Sequence, residues 1–173
     1  VRGTLDVSGS IAASGPSGAW CNPSGGSVQL TCGVLTGTGA IHANGANTKS
    51  NQPGCGGRVA VSQTVAPDFS AFAAGTISAF GGVSDTTVGL EPFDNCGTVY
   101  LQSAGEEEGA GTVYVRNART SICDNAKTGG VDLPVTNVCP DKVSAYKGTT
   151  FDLAEGGVLF ITRDVTIGEL ELV

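Results

Sequence analysis

Methionine is absent from this chain of 173 residues, and histidine and tryptophan occur once each. A single histidine, His42, rules out multi-histidine metal centres. It also leaves any serine nucleophile without a base, since no Gly-x-Ser-x-Gly elbow lies near it. Charge is scarce, with Asp, Glu, Lys and Arg together at 14%. Nine thinly spread basic residues against sixteen acidic ones give a formal charge of −7. No basic cluster is dense enough to release counterions from a phosphate backbone, so nucleic acid and anionic membrane surfaces are excluded as partners. No apolar run reaches the roughly 20 residues of a membrane span, which leaves no basis for membrane insertion. Cys-x-x-Cys spacing is missing, as is a strict Gly-x-y period, so zinc ribbons, thioredoxin-like redox motifs and collagen all drop out. Helical periodicity longer than a turn is not found. The nearest approach is 66–74, where Pro67 and Asp68 could start a single turn.

Glycine and cysteine are what the chain has instead. Its 27 glycines are about twice the average share of roughly 7%. Hydrophobic residues at 40% argue against disorder. Six scattered cysteines fit disulfides and hence an oxidising, extracellular compartment, with buried cytosolic thiols as the alternative. Cys123 and Cys139 would close a loop that departs from the rest of the pattern. Cys55 and Cys96 each introduce a glycine-led strand and would be neighbours, and Cys21 would pair with Cys32 by elimination. The chain contains no charged-then-apolar signal peptide, which a secreted protein must have carried, so residues 1–173 are read as a single domain and a processed piece of a longer precursor.

One unit recurs: glycine, a small residue, alternating apolar positions, then glycine or Asn-Gly. It appears as Gly3-Thr-Leu-Asp-Val-Ser-Gly9, Gly26-Ser-Val-Gln-Leu-Thr31, Gly39-Ala-Ile-His-Ala-Asn-Gly45 and Gly57-Arg-Val-Ala-Val61. It returns as Gly75-Thr-Ile-Ser-Ala-Phe-Gly81, Gly97-Thr-Val-Tyr-Leu101, Gly111-Thr-Val-Tyr-Val115, Gly157-Val-Leu-Phe-Ile161 and the segment 164–173. Period-two alternation between turn residues predicts short strands, with Val28, Leu30, Val59, Val61, Val99, Leu101, Val113 and Val115 all inward. Similar strands, some separated by one glycine, favour a coil of stacked rungs over hairpins. The fold class is all-β: a right-handed parallel β-helix (β-solenoid), with an antiparallel β-sandwich as the alternative.

The strings Gly25-Gly-Ser-Val-Gln-Leu-Thr-Cys-Gly-Val-Leu-Thr-Gly-Thr-Gly-Ala-Ile-His-Ala-Asn-Gly45, Cys55-Gly-Gly-Arg-Val-Ala-Val61 and Ala74-Gly-Thr-Ile-Ser-Ala-Phe-Gly-Gly82 resemble glycine-rich right-handed parallel β-helix repeats of large bacterial surface and secreted proteins. Gly109-Ala-Gly-Thr-Val-Tyr-Val115 and 156–173 extend the resemblance, which spares only 123–146. It implies a β-helix at the cell surface, and it brings no catalytic motif. Cysteines stand where such repeats have glycine runs.

Individual residues give little chemistry. Alternation turns His42 away from Ile41, toward solvent. Asp6, Asp68, Asp85, Asp94, Asp124, Asp132, Asp141, Asp152 and Asp164 are isolated, with no paired carboxylates for acid–base work on a polysaccharide. Glu106-Glu107-Glu108 reads as a solvated loop, calcium being the rival reading. Trp20 would pack over a disulfide or stack on a sugar. The ends carry more. Val1, Leu5 and Val7, and Val165, Ile167, Leu170 and Leu172, lie in similar strand sequences without polar or helical caps. Such ends would pair head to tail between copies and give an open filament. The chain is thus read as non-enzymatic, without cofactor: an extracellular structural subunit of a filament or surface layer, a self-assembling homopolymer. The rival readings are a carbohydrate-binding or carbohydrate-cleaving β-helix, which would meet a surface polysaccharide, and a stalk segment of an adhesin.

Overall fold

Short alternating segments bounded by glycine bury only one face each, so they must find neighbours. The computed structural model, which describes residues 1–16, 23–47, 53–82, 96–116, 130–132, 146–154, 158–160 and 166–172, pairs them largely in parallel. The strands are β1 (Thr4–Asp6), β2 (Ser10–Ala12), β3 (Ser27–Cys32), β4 (Val34–Thr36), β5 (Ala40–His42), β6 (Arg58–Gln63) and β7 (Thr76–Ser78). They continue as β8 (Thr98–Gln102), β9 (Thr112–Arg116), β10 (Gly130–Asp132), β11 (Thr150–Ala154), β12 (Val158–Phe160) and β13 (Glu169–Leu172). Helix is confined, among the described residues, to one 3-10 turn at Ser70–Phe72, started by Asp68, whose carboxylate accepts from Ser70 N. The protein is all-β.

β1 pairs with β4, β2 with β5 and β5 with β7, and β3 with β6 and β6 with β8, each in parallel. Like residues meet like: Leu5 faces Leu35, Ile11 faces Ile41 and then Ile77, and Val28 faces Val59 and then Val99. The core follows from this register. Leu35, Ile41, Val59 and Val61 are fully buried with Cys32, and Leu30 and Leu101 pack against them. Glycines allow the close approach at the strand starts, since a Cβ on Gly57 would strike the Gly26 carbonyl oxygen and one on Gly97 that of Gly57. Gln63, in register with Cys32 and buried, ties the layers by accepting from Leu35 N at 2.7 Å and donating to the Asp68 carbonyl at 2.7 Å.

At β8 the pattern changes. The segment 103–111 reverses the chain, with Gly105 and Gly109 at φ 90° and 83°, and β9 runs antiparallel to β8. β11 and β13 then follow β9 in parallel, completing the six-stranded order β13-β11-β9-β8-β6-β3. β10 and β12 form a separate parallel pair. Val99 lies opposite Tyr114, and Tyr100 opposite Val113. The inward residue of β9 is therefore Tyr114, which packs on the first core. Val113 sits on the other face, with Leu153, Tyr146 and Ile167 around buried Phe151. The expectation that Val113 and Val115 share the face of Val28 is thus corrected, because the β8–β9 register sets Val99 opposite Tyr114 and not Val113, and a one-residue shift of register exchanges the faces.

The disulfides are also corrected. Cys32, Cys55 and Cys96 are thiols and not disulfide-bonded. The register Arg58↔Thr98, continued back along the strands, sets Cys96 beside Gly56. Cys55 lies one position off, on the opposite side of the alternation, so the expected Cys55–Cys96 bond does not form. Cys32 points into the apolar core beside Gln63, which removes the expected Cys21–Cys32 bond. Cys21, Cys123 and Cys139 lie outside the described residues.

A candidate functional site in an aromatic cleft

Among the described residues, a cleft lies against the first core. The 3-10 turn brings Phe69 and Phe72 to it, β7 and the residues after it bring Ile77 and Phe80, and β8 brings Val99 and Leu101. Tyr114 and Arg116 of β9 complete a cleft of about 350 Å³. Phe72 lies against Gly75, where a Cβ would collide with its ring.

Charge enters the cleft from Arg116 of β9, which β11 supports from beside it. Asp152 is the register partner of Tyr114, so it stands on the face of the sheet that lines the cleft. Arg116 donates to Asp152 Oδ2 at 2.9 Å, and its guanidinium lies 4.9 Å from the Tyr114 ring centroid. The arginine side chain is 43% exposed and the aspartate side chain 11%. Asp152 Oδ1 is buried without a hydrogen-bond partner. Arg116 thus stands in the lining of an apolar, aromatic hollow, held by an ion pair to the largely buried Asp152, which does not itself line the cleft. Sequence reading counted Asp152 among isolated acids. Its partner is 36 residues away, and only the β9–β11 register brings the two together.

His42 faces away from the core, as alternation requires, yet it is not simply solvated. Its Nε2 lies 2.8 Å from Ser10 Oγ and its Nδ1 2.8 Å from Ser14 Oγ. Ser14 Oγ in turn accepts from Asn44 N, and Asn44 Oδ1 accepts from Ser78 Oγ and Phe80 N. This chain of polar contacts stitches β2, β5 and the strand above. The glutamate run does not converge. Glu106 folds back to accept from Ser103 N, while the Glu106 and Glu107 carbonyls accept from Gln102. No group of three metal-binding side chains occurs among the described residues.

The assembly residues fall into two sets. Val1, Leu170 and Leu172 are exposed, the last two at 46% and 75%. Leu5 and Val7 belong to the first core and Ile167 to the second. Trp20 and Val165 lie outside the described residues. No family model matches the chain, and neither a curated protein nor a solved structure is significantly similar to it.

Proposed function

We propose that this all-β chain is a structural β-solenoid, of the kind its glycine-rich strings resemble, that extends by strand addition at its edges and assembles head to tail outside the cell. One observation carries the reading: β1, β2 and β3, consecutive in sequence, are each an edge strand with a partner on one side only among the described residues. Three open edges side by side present unpaired N–H and C=O groups as a single template. At the far edge of the long sheet β13 too has a partner on one side only among the described residues, with apolar Leu170 and Leu172 exposed. Offsets of about thirty residues between paired strands, as in Leu5↔Leu35 and Ile11↔Ile41, suit a coil of three strands per turn. Burying a few hundred Å² of apolar surface at a junction would contribute on the order of 10 kcal/mol before association entropy is subtracted.

Electron microscopy and light scattering across a concentration series test this. Filaments that lengthen with concentration are expected, and Leu170→Asp should shorten or abolish them while the circular dichroism of the subunit stays β-rich. A folded monomer at high concentration sinks the homopolymer. In that case the added strand comes from the same polypeptide, as in an adhesin stalk.

A further inference from the structure

We infer that Ser10 is a nucleophile activated by His42, and that it takes a short acyl group from an activated ester whose leaving group is a phenol or a thiol. Ser10 Oγ lies 2.8 Å from His42 Nε2, within the reach at which an imidazole takes a hydroxyl proton. The ring is held from its other side, where Nδ1 lies 2.8 Å from Ser14 Oγ and Asn44 N donates to that same oxygen at 2.8 Å. In the tautomer with its proton on Nδ1, the ring donates to Ser14 Oγ and Nε2 accepts from Ser10. A nucleophile, a base and a third group that orients the base are the parts by which a serine is activated. Ser10 is also accessible: it is exposed, and its neighbours on the outer face, Ala12 and Ala40, are small. The backbone supplies one more part. Ala40 N donates to Gly9 O and Ala13 N donates to His42 O, so the amides of Ser10 and Ala12 point to the other edge of β2. No strand lies beside that edge among the described residues, which leaves the Ser10 N–H to donate to the oxyanion of a tetrahedral intermediate. In the reaction Ser10 Oγ bonds to the acyl carbon while His42 Nε2 takes its proton. The ester bond then breaks, and that proton goes to the departing phenolate or thiolate. Water, deprotonated by the same nitrogen, releases the acid and restores the hydroxyl. A hydroxyl at Nδ1 stabilises the imidazolium less than a carboxylate does, which confines the site to esters with good leaving groups. The sequence hid the pair, because Ser10 is 32 residues from His42 and only the β2–β5 register joins them.

The test treats the dilute full chain with p-nitrophenyl acetate and locates acetyl groups by peptide mass mapping. Ser10 should be acetylated at least about a hundredfold faster than a serine without a base. The reference is Ser27, an exposed serine of β3 in register with Arg58. Ser10→Ala and His42→Gln should each remove the fast acetylation while circular dichroism stays β-rich, and urea should abolish the difference between the two serines. Ser14 is a positioning residue, so Ser14→Ala should slow the acetylation and Ser14→Thr should restore it. Ser10 reacting no faster than Ser27 in the folded chain overturns the inference, as does a fast rate that His42→Gln leaves unchanged. A burst of p-nitrophenol that survives Ser10→Ala overturns it too, since the imidazole is then the nucleophile. Leu170→Asp, which tests assembly, does not touch β2, so the two readings fail separately.

Discussion

Asp6 shows how a single exposed side chain reports on a strand pair. The Ser8 hydroxyl donates to its Oδ1 at 2.6 Å, and the Thr36 hydroxyl, across the β1–β4 pair, donates to Oδ2 at 3.1 Å. These bonds, Ser8 first, favour the ionised form and hold the carboxyl below its ordinary value. A depressed folded value means that the stabilisation is present above the unfolded carboxylate value of about 3.9 and is lost as pH falls through the lower folded value. The Asp6 carboxyl carbon should therefore titrate with a midpoint below that of an unfolded aspartate, and Ser8→Ala should move it up. A midpoint at or above the ordinary value would contradict the bonding. Cys32 offers the complementary check. Burial pushes its thiol up and shields it, so a thiol reagent should leave it unlabelled in the native protein and label it after denaturation. Labelling of native Cys32 at the rate of an exposed thiol would disprove the burial. Cysteine count suggested a compartment, but pairing depends on which side of a strand each sulfur leaves, and a one-residue register offset decides that.

Among the elements, the parallel ladders depend on residues too small to notice in isolation. Replacing Gly97 by valine would drive side-chain atoms into the Gly57 carbonyl and should separate β6 from β8. Ile41→Ala, at a fully buried position between Ile11 and Ile77, should cost about 2–5 kcal/mol in urea unfolding. A cost near zero would mean that Ile41 is not in the core. The period-two pattern made these strands readable, because each apolar residue that alternation sends inward meets another in the register. The reversal at β8–β9 was not readable. Two apolar strands separated by a glycine-bounded acidic run look the same whether the chain bends onward or turns back, and only the positive φ of Gly105 and Gly109 distinguishes them. Glycine permits that conformation without requiring it.

Taken as a whole, the molecule has two apolar cores on opposite faces of one sheet, the first around Val59 and Val61 and the second around Phe151. Phe151→Ala should cost about 3–5 kcal/mol locally. Hydrogen exchange should quicken in β11 and β13 while β3 and β6 keep their protection. Equal loss of protection everywhere would mean that the two cores unfold as one unit. The cleft escaped the sequence for the same reason as the second core, since Tyr114 and Arg116 reach the first core's face through the β8–β9 register, which sets Val99 opposite Tyr114. The reversal between β8 and β9 also gives the long sheet a direction. β3, β6 and β8 run one way, and β9, β11 and β13 run the other. Copies stacked by simple repetition would bring β13 of one against β3 of the next with opposite polarity. The assembled ribbon would then alternate three strands up and three down, and each seam would show the paired narrow and wide hydrogen-bond spacing of an antiparallel ladder.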